Sequence, residues 1–437
     1  MLVSALASVT APLHRSRPQP TERIPNKRAP NKRAPTERVP PGARRLAWLD
    51  GLRGLAAMVV VFEHSLDVLF PEVRRTASPW FDFGRYGVFV FFLVSGYIVP
   101  ASLERRGDLH AFWVGRLLRL YPLFAVAALL GVTLAATGVA WPLPGPLTDR
   151  PWTSALAHAT MLQDLLGVPN VVNVFWTLSY EMVFYLLVTA MFAAGVHRAS
   201  AGAAAVFAAA AAVAGAALPM WLIARNWPTA SIAATALVFA CGLLAVMYGS
   251  RRLRLCGALA AAGLALVLLA VNSRIGGMES LAILATMFAG TALYRVEHGQ
   301  IARRTGLALV ALVPALTVAA GAWPALTSGD ASWGRPLAVT AAWLTFLLGW
   351  ALRHQRTPRV LAWLGLVSYS LYLLHPLLLQ VVWRLTGEPD DMALAHRLAW
   401  GAAAVACLLA AAALTYRHVE RPMQNLARRL SRRRAAT

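Results

Sequence analysis

The sequence predicts an all-α, polytopic membrane bundle of about ten to twelve transmembrane helices. Three observations predict it. The chain is 58% hydrophobic and only 14% charged over 437 residues, with mean hydropathy +0.56, too apolar for a soluble protein of that length. Its apolar residues fall in blocks of about 18 to 25, the length a helix needs to cross a bilayer. Short basic or Pro/Gly-rich connectors separate the blocks, without the period-two alternation of an outer-membrane barrel.

Residues 1–45 are a different material. The stretch Asn26-Lys27-Arg28-Ala29-Pro30 repeats at once as Asn31-Lys32-Arg33-Ala34-Pro35. Basic and proline-rich, this segment cannot build a core, which predicts a disordered cytoplasmic tail drawn to anionic lipid. No apolar run follows a charged start, so it is not read as a signal peptide. From Leu52 the candidate spans run approximately 52–70, 86–103, 118–138, 173–195, 201–223, 229–248, 255–271, 278–295, 306–323, 335–352, 360–383 and 397–417. They define a membrane domain over 46–425, followed by a second basic tail at 426–437. The loop over about 139–172 is the longest, with room for a short amphipathic or re-entrant piece around Ser154–Leu166.

The net charge of +22 comes almost entirely from arginine, with Lys27 and Lys32 the only lysines. Such a balance can mark a nucleic-acid binder, but here it concentrates at the ends and in alternate loops. Arg105-Arg106 with Arg116, Arg251-Arg252, Arg303-Arg304 and Arg428 to Arg434 then all fall on one side. That pattern is the positive-inside rule and puts both termini in the cytoplasm, in a bacterial inner membrane. Nucleic acid is therefore excluded as a partner. Cys241, Cys256 and Cys407 have no metal-ligand spacing, so neither a disulfide nor a metal is implied.

Arg53 and His64 lie within the first apolar run, eleven residues apart. At about 100° per residue that spacing returns to nearly the same helix face, about 16 Å further along. Ionisable groups in a bilayer are costly and usually serve a site within the bundle. Arg116 and Arg119, at i and i+3 behind Arg105 and Arg106, share one face of the third span. They read either as a topology signal or as a phosphate clamp. Ser95-Gly96 reads as a small pair for close helix packing. Glu181, in Trp176-Thr177-Leu178-Ser179-Tyr180-Glu181, is an ion-pair partner or a site residue. His375, in Ser368-Tyr369-Ser370-Leu371-Tyr372-Leu373-Leu374-His375-Pro376, is a packing histidine or a second site residue, and Pro376 can kink its helix. The charges of Tyr416-Arg417-His418-Val419-Glu420-Arg421-Pro422 can simply close the last span.

Taken in order, these blocks resemble the bacterial acyltransferase-3 family of integral membrane O-acyltransferases. The blocks are Asp50-Gly51-Leu52-Arg53-Gly54 with His64, Phe91-Phe92-Leu93-Val94-Ser95-Gly96-Tyr97, Arg116 through Pro122, Trp176 through Glu181, Ser368 through His375, and Glu420-Arg421-Pro422. The likeness covers about residues 46–425. It implies transfer of an acyl group, commonly acetyl, from cytoplasmic acetyl-CoA to a hydroxyl of a polysaccharide, lipid-linked sugar or antibiotic sugar. Acyl-CoA would be a co-substrate, with no bound cofactor. The family's essential Arg and His match Arg53 and His64, and its arginine pair matches Arg116 and Arg119.

On that resemblance, His64 is the general base or carries the acyl group, and Arg116 and Arg119 hold the CoA phosphates. Arg53 binds the donor or neutralises the oxyanion, while Glu181 and His375 orient the base or bind the sugar. Two departures stand out. Glu63 replaces the usual apolar residue before the histidine, and the candidate spans exceed the family's core of about ten. No SGNH-type esterase domain is fused, so a second transfer step would need a separate protein. The alternative class is a transporter or flippase of a glycolipid or polysaccharide precursor. It fits less well, because no duplication relates residues 50–230 to 230–425.

Overall fold

The computed structural model describes residues 41–226, 228–328, 333–389 and 392–435. Among the described residues every regular element is helical. The long helices begin with α1 Pro41–Leu69, α2 Phe83–Arg106, α3 Leu109–Ala136, α4 Trp176–Ala193, α5 Ser200–Val213, α6 Pro228–Tyr248 and α7 Arg251–Asn272. They continue with α8 Gly277–Glu297, α9 Arg303–Ser328, α10 Gly334–Ala351, α11 Arg359–Leu366, α12 Ser368–Thr386, α13 Leu394–Thr415 and α14 Arg421–Ala435.

Every predicted span falls on one of these helices or on a bent pair. Among the described residues eight helices are long and apolar enough to cross a membrane, and up to ten spans result if each of two bent pairs counts as one. The two predicted spans outside that number are α1, whose apolar part carries Arg53, Glu63 and Asp67, and α10, which opens on Gly334-Arg335-Pro336. The chain is a polytopic helical membrane protein. The first forty residues of the expected basic tail lie outside the described residues, and α1 already runs from Pro41.

Two predicted spans are broken. The predicted span 201–223 runs into Gly215–Asn226 at a 59° bend, and the predicted span 360–383 splits into α11 and α12 at 70°. The second break falls at Val367, outside helical geometry at φ −93° and ψ 4°, while Pro376 stays inside α12. The turn between α2 and α3 is legible residue by residue. Gly107 takes the left-handed conformation at φ 65°, and the Asp108 carboxylate accepts from His110 N–H at 2.9 Å. A glycine stop followed by an aspartate cap closes one helix and opens the next. Helix α3 therefore starts at Leu109, nine residues before the predicted span, and Arg116 and Arg119 lie within it.

The apolar parts of α2, α4 and α8 are 78%, 83% and 83% buried, against 17% for α13, so those three helices form the centre. Missing side chains bring the central helices together. A Cβ at Gly96 would strike the Met287 carbonyl, and one at Gly290 would come 2.5 Å from the Leu93 oxygen. Thr291 then donates to the Gly96 carbonyl at 2.8 Å. Gly51 and Gly54 do the same for α1 against α11, where a Cβ on Gly54 would sit 2.6 Å from the Leu361 oxygen. That face of α1 is used for packing, which leaves Arg53 turned towards the bundle interior.

The long loop between α3 and α4 folds back into the bundle. It holds short helices at Gly145–Asp149 and Pro151–Ala159 and a buried turn at Gln163–Leu166, where the inserted piece is expected. Asp164 pairs with Arg274 at 2.7 Å and accepts from Asn170 at 3.0 Å. Asn272 donates to the Leu165 carbonyl at 2.6 Å and accepts from the Ile223 and Ala224 amides, each at 2.9 Å. These bonds satisfy most of the polar groups that such an insertion buries, while Gln163 Oε1 and Asp164 Oδ2 keep no partner among the described residues.

Candidate active site

Two cavities share one arginine. The first, of about 180 Å³, lies between α2, α3 and α14 and is lined by Ser102, Arg106, Arg116, Arg119, Gln424 and Arg428. None of these four arginines has a carboxylate partner among the described residues. Arg116 is held in place by other means. Its Nη2 donates to Ser102 Oγ at 2.8 Å, and its guanidinium lies 5.3 Å from the Phe112 ring and 5.2 Å from the Tyr185 ring. A cluster of unpaired guanidinium groups in a concave site is chemistry for a polyanion.

The second cavity, of about 80 Å³, lies deeper and is lined by Arg53, Arg119, Glu181, Thr177, Tyr369 and Tyr372, with the apolar Phe91 and Phe92. Arg119 lines both. A further link runs alongside it: the Tyr185 hydroxyl donates to Glu181, and the Tyr185 ring faces Arg116. Arg53 keeps a long ion pair with Asp50 at 3.8 Å and has Arg119, Glu181 and Glu420 within electrostatic range. The inner cavity is thus polar at its arginine end and aromatic on its walls.

The two histidines form a third group. The rings of His64 and His375 meet edge to face at 4.9 Å. His64 Nδ1 bonds the Val60 carbonyl at 3.0 Å, and His375 Nδ1 bonds the Leu371 carbonyl at 3.1 Å. A carbonyl only accepts, so both Nδ1 atoms carry the proton and both Nε2 atoms keep a lone pair. His375 is fully buried and its Nε2 has no partner. Tyr372 joins this pair to the inner cavity: it lines the cavity, and its ring lies 5.9 Å from that of His375.

The structure therefore brings Arg53, Arg119 and Glu181 together, sets Arg116 next door, and pairs His64 with His375. It does not bring Arg53 to His64. The helical rise keeps them about 16 Å apart along α1. Glu181 shares its cavity with Arg53 and Arg119 rather than with the histidines. Glu63, the unusual residue before His64, is buried, pairs with Arg74 and packs against Gly84. It anchors the end of α1.

The last span closes differently from the expectation. Tyr416–Glu420 is a π-helical turn, and Glu420 is buried as the acceptor of the Ser370 hydroxyl. A π turn inserts one residue into the helix and turns a side chain inward. Sequence reasoning missed Tyr369 and Tyr372, which stand inside a recognised block but carry no charge to single them out. It read Arg428 as a topology signal alone, because only the fold of α14 onto α3 brings that residue to Arg116. Among the described residues no group of His, Cys, Asp or Glu could hold a metal ion, and the three cysteines are exposed.

The candidate site is thus an arginine-lined cavity beside a buried polar chamber, inside a helical membrane bundle. The profile of a family described as an acyltransferase domain matches residues 46–417, and the chain belongs to that acyltransferase-3 family. It is 29% identical to acyltransferase MdmB of Streptomyces mycarofaciens over 154 residues, 34% of this chain and 39% of that protein. It is 30% identical to nodulation protein 10 of Rhizobium leguminosarum bv. viciae over 227 residues, 46% of this chain and 60% of that one. A Staphylococcus aureus (strain COL) protein whose name proposes an O-acetyltransferase is 34% identical over 100 residues, 22% of this chain and 14% of its own. The chain spans less than two thirds of the length of each of these relatives. No solved structure matches it. The family that matches is one of acyltransferase domains, not of transporters.

Proposed function

We propose that this chain moves an acyl group, acetyl in the simplest case, from acyl-CoA to a hydroxyl of a carbohydrate or glycosylated acceptor. The observation that carries the reading is Arg119, shared by an arginine-lined cavity and a buried chamber. A polyanionic nucleotide held in the first can pass a thioester arm beside Arg119 into the second. The reading puts the protein in a bacterial inner membrane with its arginine-lined cavity facing the cytoplasm, in line with the positive-inside charge pattern.

His64 Nε2 takes the proton of the acceptor hydroxyl, a role worth roughly 10² to 10⁴-fold. The hydroxyl oxygen then attacks the thioester carbonyl carbon. The tetrahedral intermediate collapses, the carbon–sulfur bond breaks, and the leaving CoA thiolate receives the proton from the imidazolium. His375 holds the His64 ring on edge in this account. Arg53, about 16 Å from His64 along α1, cannot touch the same carbonyl, so its role is to bind the donor. The Tyr372 hydroxyl accepts from Thr177 at 3.0 Å and donates to the Val174 carbonyl at 3.5 Å, which fixes the ring between the chamber and His375.

The names of the relatives support an acyl and an O-acetyl reading. The test supplies membranes containing the full chain with acetyl-CoA labelled in its acetyl group. Label entering the glycolipid or polysaccharide fraction supports the proposal. Label remaining on CoA while a labelled glycolipid is carried across the membrane would overturn it.

A further inference from the structure

The arginine-lined cavity has two depths. Arg116 and Arg119 are half-buried on α3, whereas Arg106, at the end of α2, and Arg428, on α14, are exposed at its rim. Helix α14 is strongly amphipathic, with Ala427 buried and Arg428 beside it over the cavity. Gln424, one turn earlier, adds an amide to the same wall. Arg428 is oriented from its own helix: its Nη2 donates to Asn425 Oδ1 at 2.8 Å. Arg106 Nη1 reaches only the Ala111 carbonyl, at 3.4 Å. Both rim guanidinium groups therefore keep donors free to point into the cavity.

A single diphosphate is matched by two arginines. Four arginines around one cavity, without a carboxylate, call for more negative charge and for charge in two places. Coenzyme A has that form: a diphosphate in line with its thioester arm, and a separate phosphate on the ribose 3′ oxygen. The inner pair lies on the path to the chamber, and the outer pair stands off it.

We propose that Arg106 and Arg428 form a subsite for the ribose 3′-phosphate, so that the C-terminal helix makes the enzyme select coenzyme A over its 3′-dephospho form. This inference rests on the reading of acyl-CoA as donor. It gives α14 a role that a closing helix at the membrane surface does not have.

The test measures binding of coenzyme A and of 3′-dephospho-coenzyme A to the purified full chain by titration calorimetry. Wild type should bind coenzyme A at least about tenfold more tightly, the worth of one charge-assisted contact. Arg428→Gln, and more fully Arg106→Gln with Arg428→Gln, should remove that preference while leaving binding of the dephospho form unchanged. Unchanged binding of the dephospho form also shows that the variants are folded. Equal binding of both ligands by wild type, or an equal loss of both in the variants, overturns the subsite and leaves the donor reading standing. If wild type binds neither ligand, the donor reading fails and the subsite with it.

Discussion

His64 on α1 and His375 on α12 meet edge to face at 4.9 Å, each with its Nδ1 bonded to the carbonyl one turn back. Two distant parts of the chain thus present two imidazoles tied to their own helices through Nδ1 alone. His375 is fully buried, so His64 is the member that substrate can reach.

His64→Ala should lower kcat by about 10² to 10⁴-fold and leave the KM for acyl-CoA unchanged. Steady-state kinetics on the purified protein check this. A variant that turns over at the wild-type rate removes the base assignment.

Arg53→Gln should show the opposite pattern, since Arg53 shares its cavity with Arg119 and lies about 16 Å along the helix from His64. The acyl-CoA KM should rise about tenfold or more with kcat retained. A fall in kcat at constant KM would return Arg53 to the oxyanion.

The fold class, the helical segments and the shared helix face of Arg116 and Arg119 were legible in the sequence, because charge inside an apolar run is rare and therefore visible. The order of the bundle was not. Hydropathy alone does not separate the buried centre, α2, α4 and α8, from a lipid-facing helix such as α13, since lipid and protein interior are equally apolar. The spacing of Arg53 and His64 correctly put them on one helix face, yet one face along a long helix reaches two different compartments. The break at Val367 has Gly365 two residues before it, a weaker signal than Pro376, yet Pro376 sits within α12.

Helix α1 depends on the absence of a side chain at Gly365, where a Cβ would strike the Asp50 carbonyl. Gly365→Leu should destabilise the protein by about 1–3 kcal/mol through overpacking. It should also displace Arg53, three residues beyond Asp50. A thermal melt of the detergent-solubilised variant should show the loss of stability, and a weakened acyl-CoA KM should accompany it. A variant with the wild-type melting temperature and KM contradicts the packing argument.

The loop between α3 and α4 carries a pH dependence. His158 is buried, with Nδ1 donating to the Ser154 carbonyl at 2.8 Å and Nε2 accepting from the Val171 amide at 3.3 Å. Burial lowers its pKa below the ordinary value, partly opposed by the Ser154 bond. The unfolded chain takes up a proton near pH 6.5 and the folded loop does not. Stability from this residue is therefore complete at neutral pH and falls as the pH drops below about 6.5. Between pH 7.5 and 5.5 the wild-type Tm should fall more than that of His158→Gln. Parallel curves would show that His158 is not the titrating group.

The most direct test of the central claim compares transfer from labelled acetyl-CoA by wild type, His64→Ala and the Arg116→Ala, Arg119→Ala double variant, each expressed to the same level in membranes. The account predicts label in glycolipid or polysaccharide with wild type, at least about 100-fold slower labelling with His64→Ala at every donor concentration, and recovery by the double variant when acetyl-CoA is raised. Equal labelling by wild type and His64→Ala would contradict it.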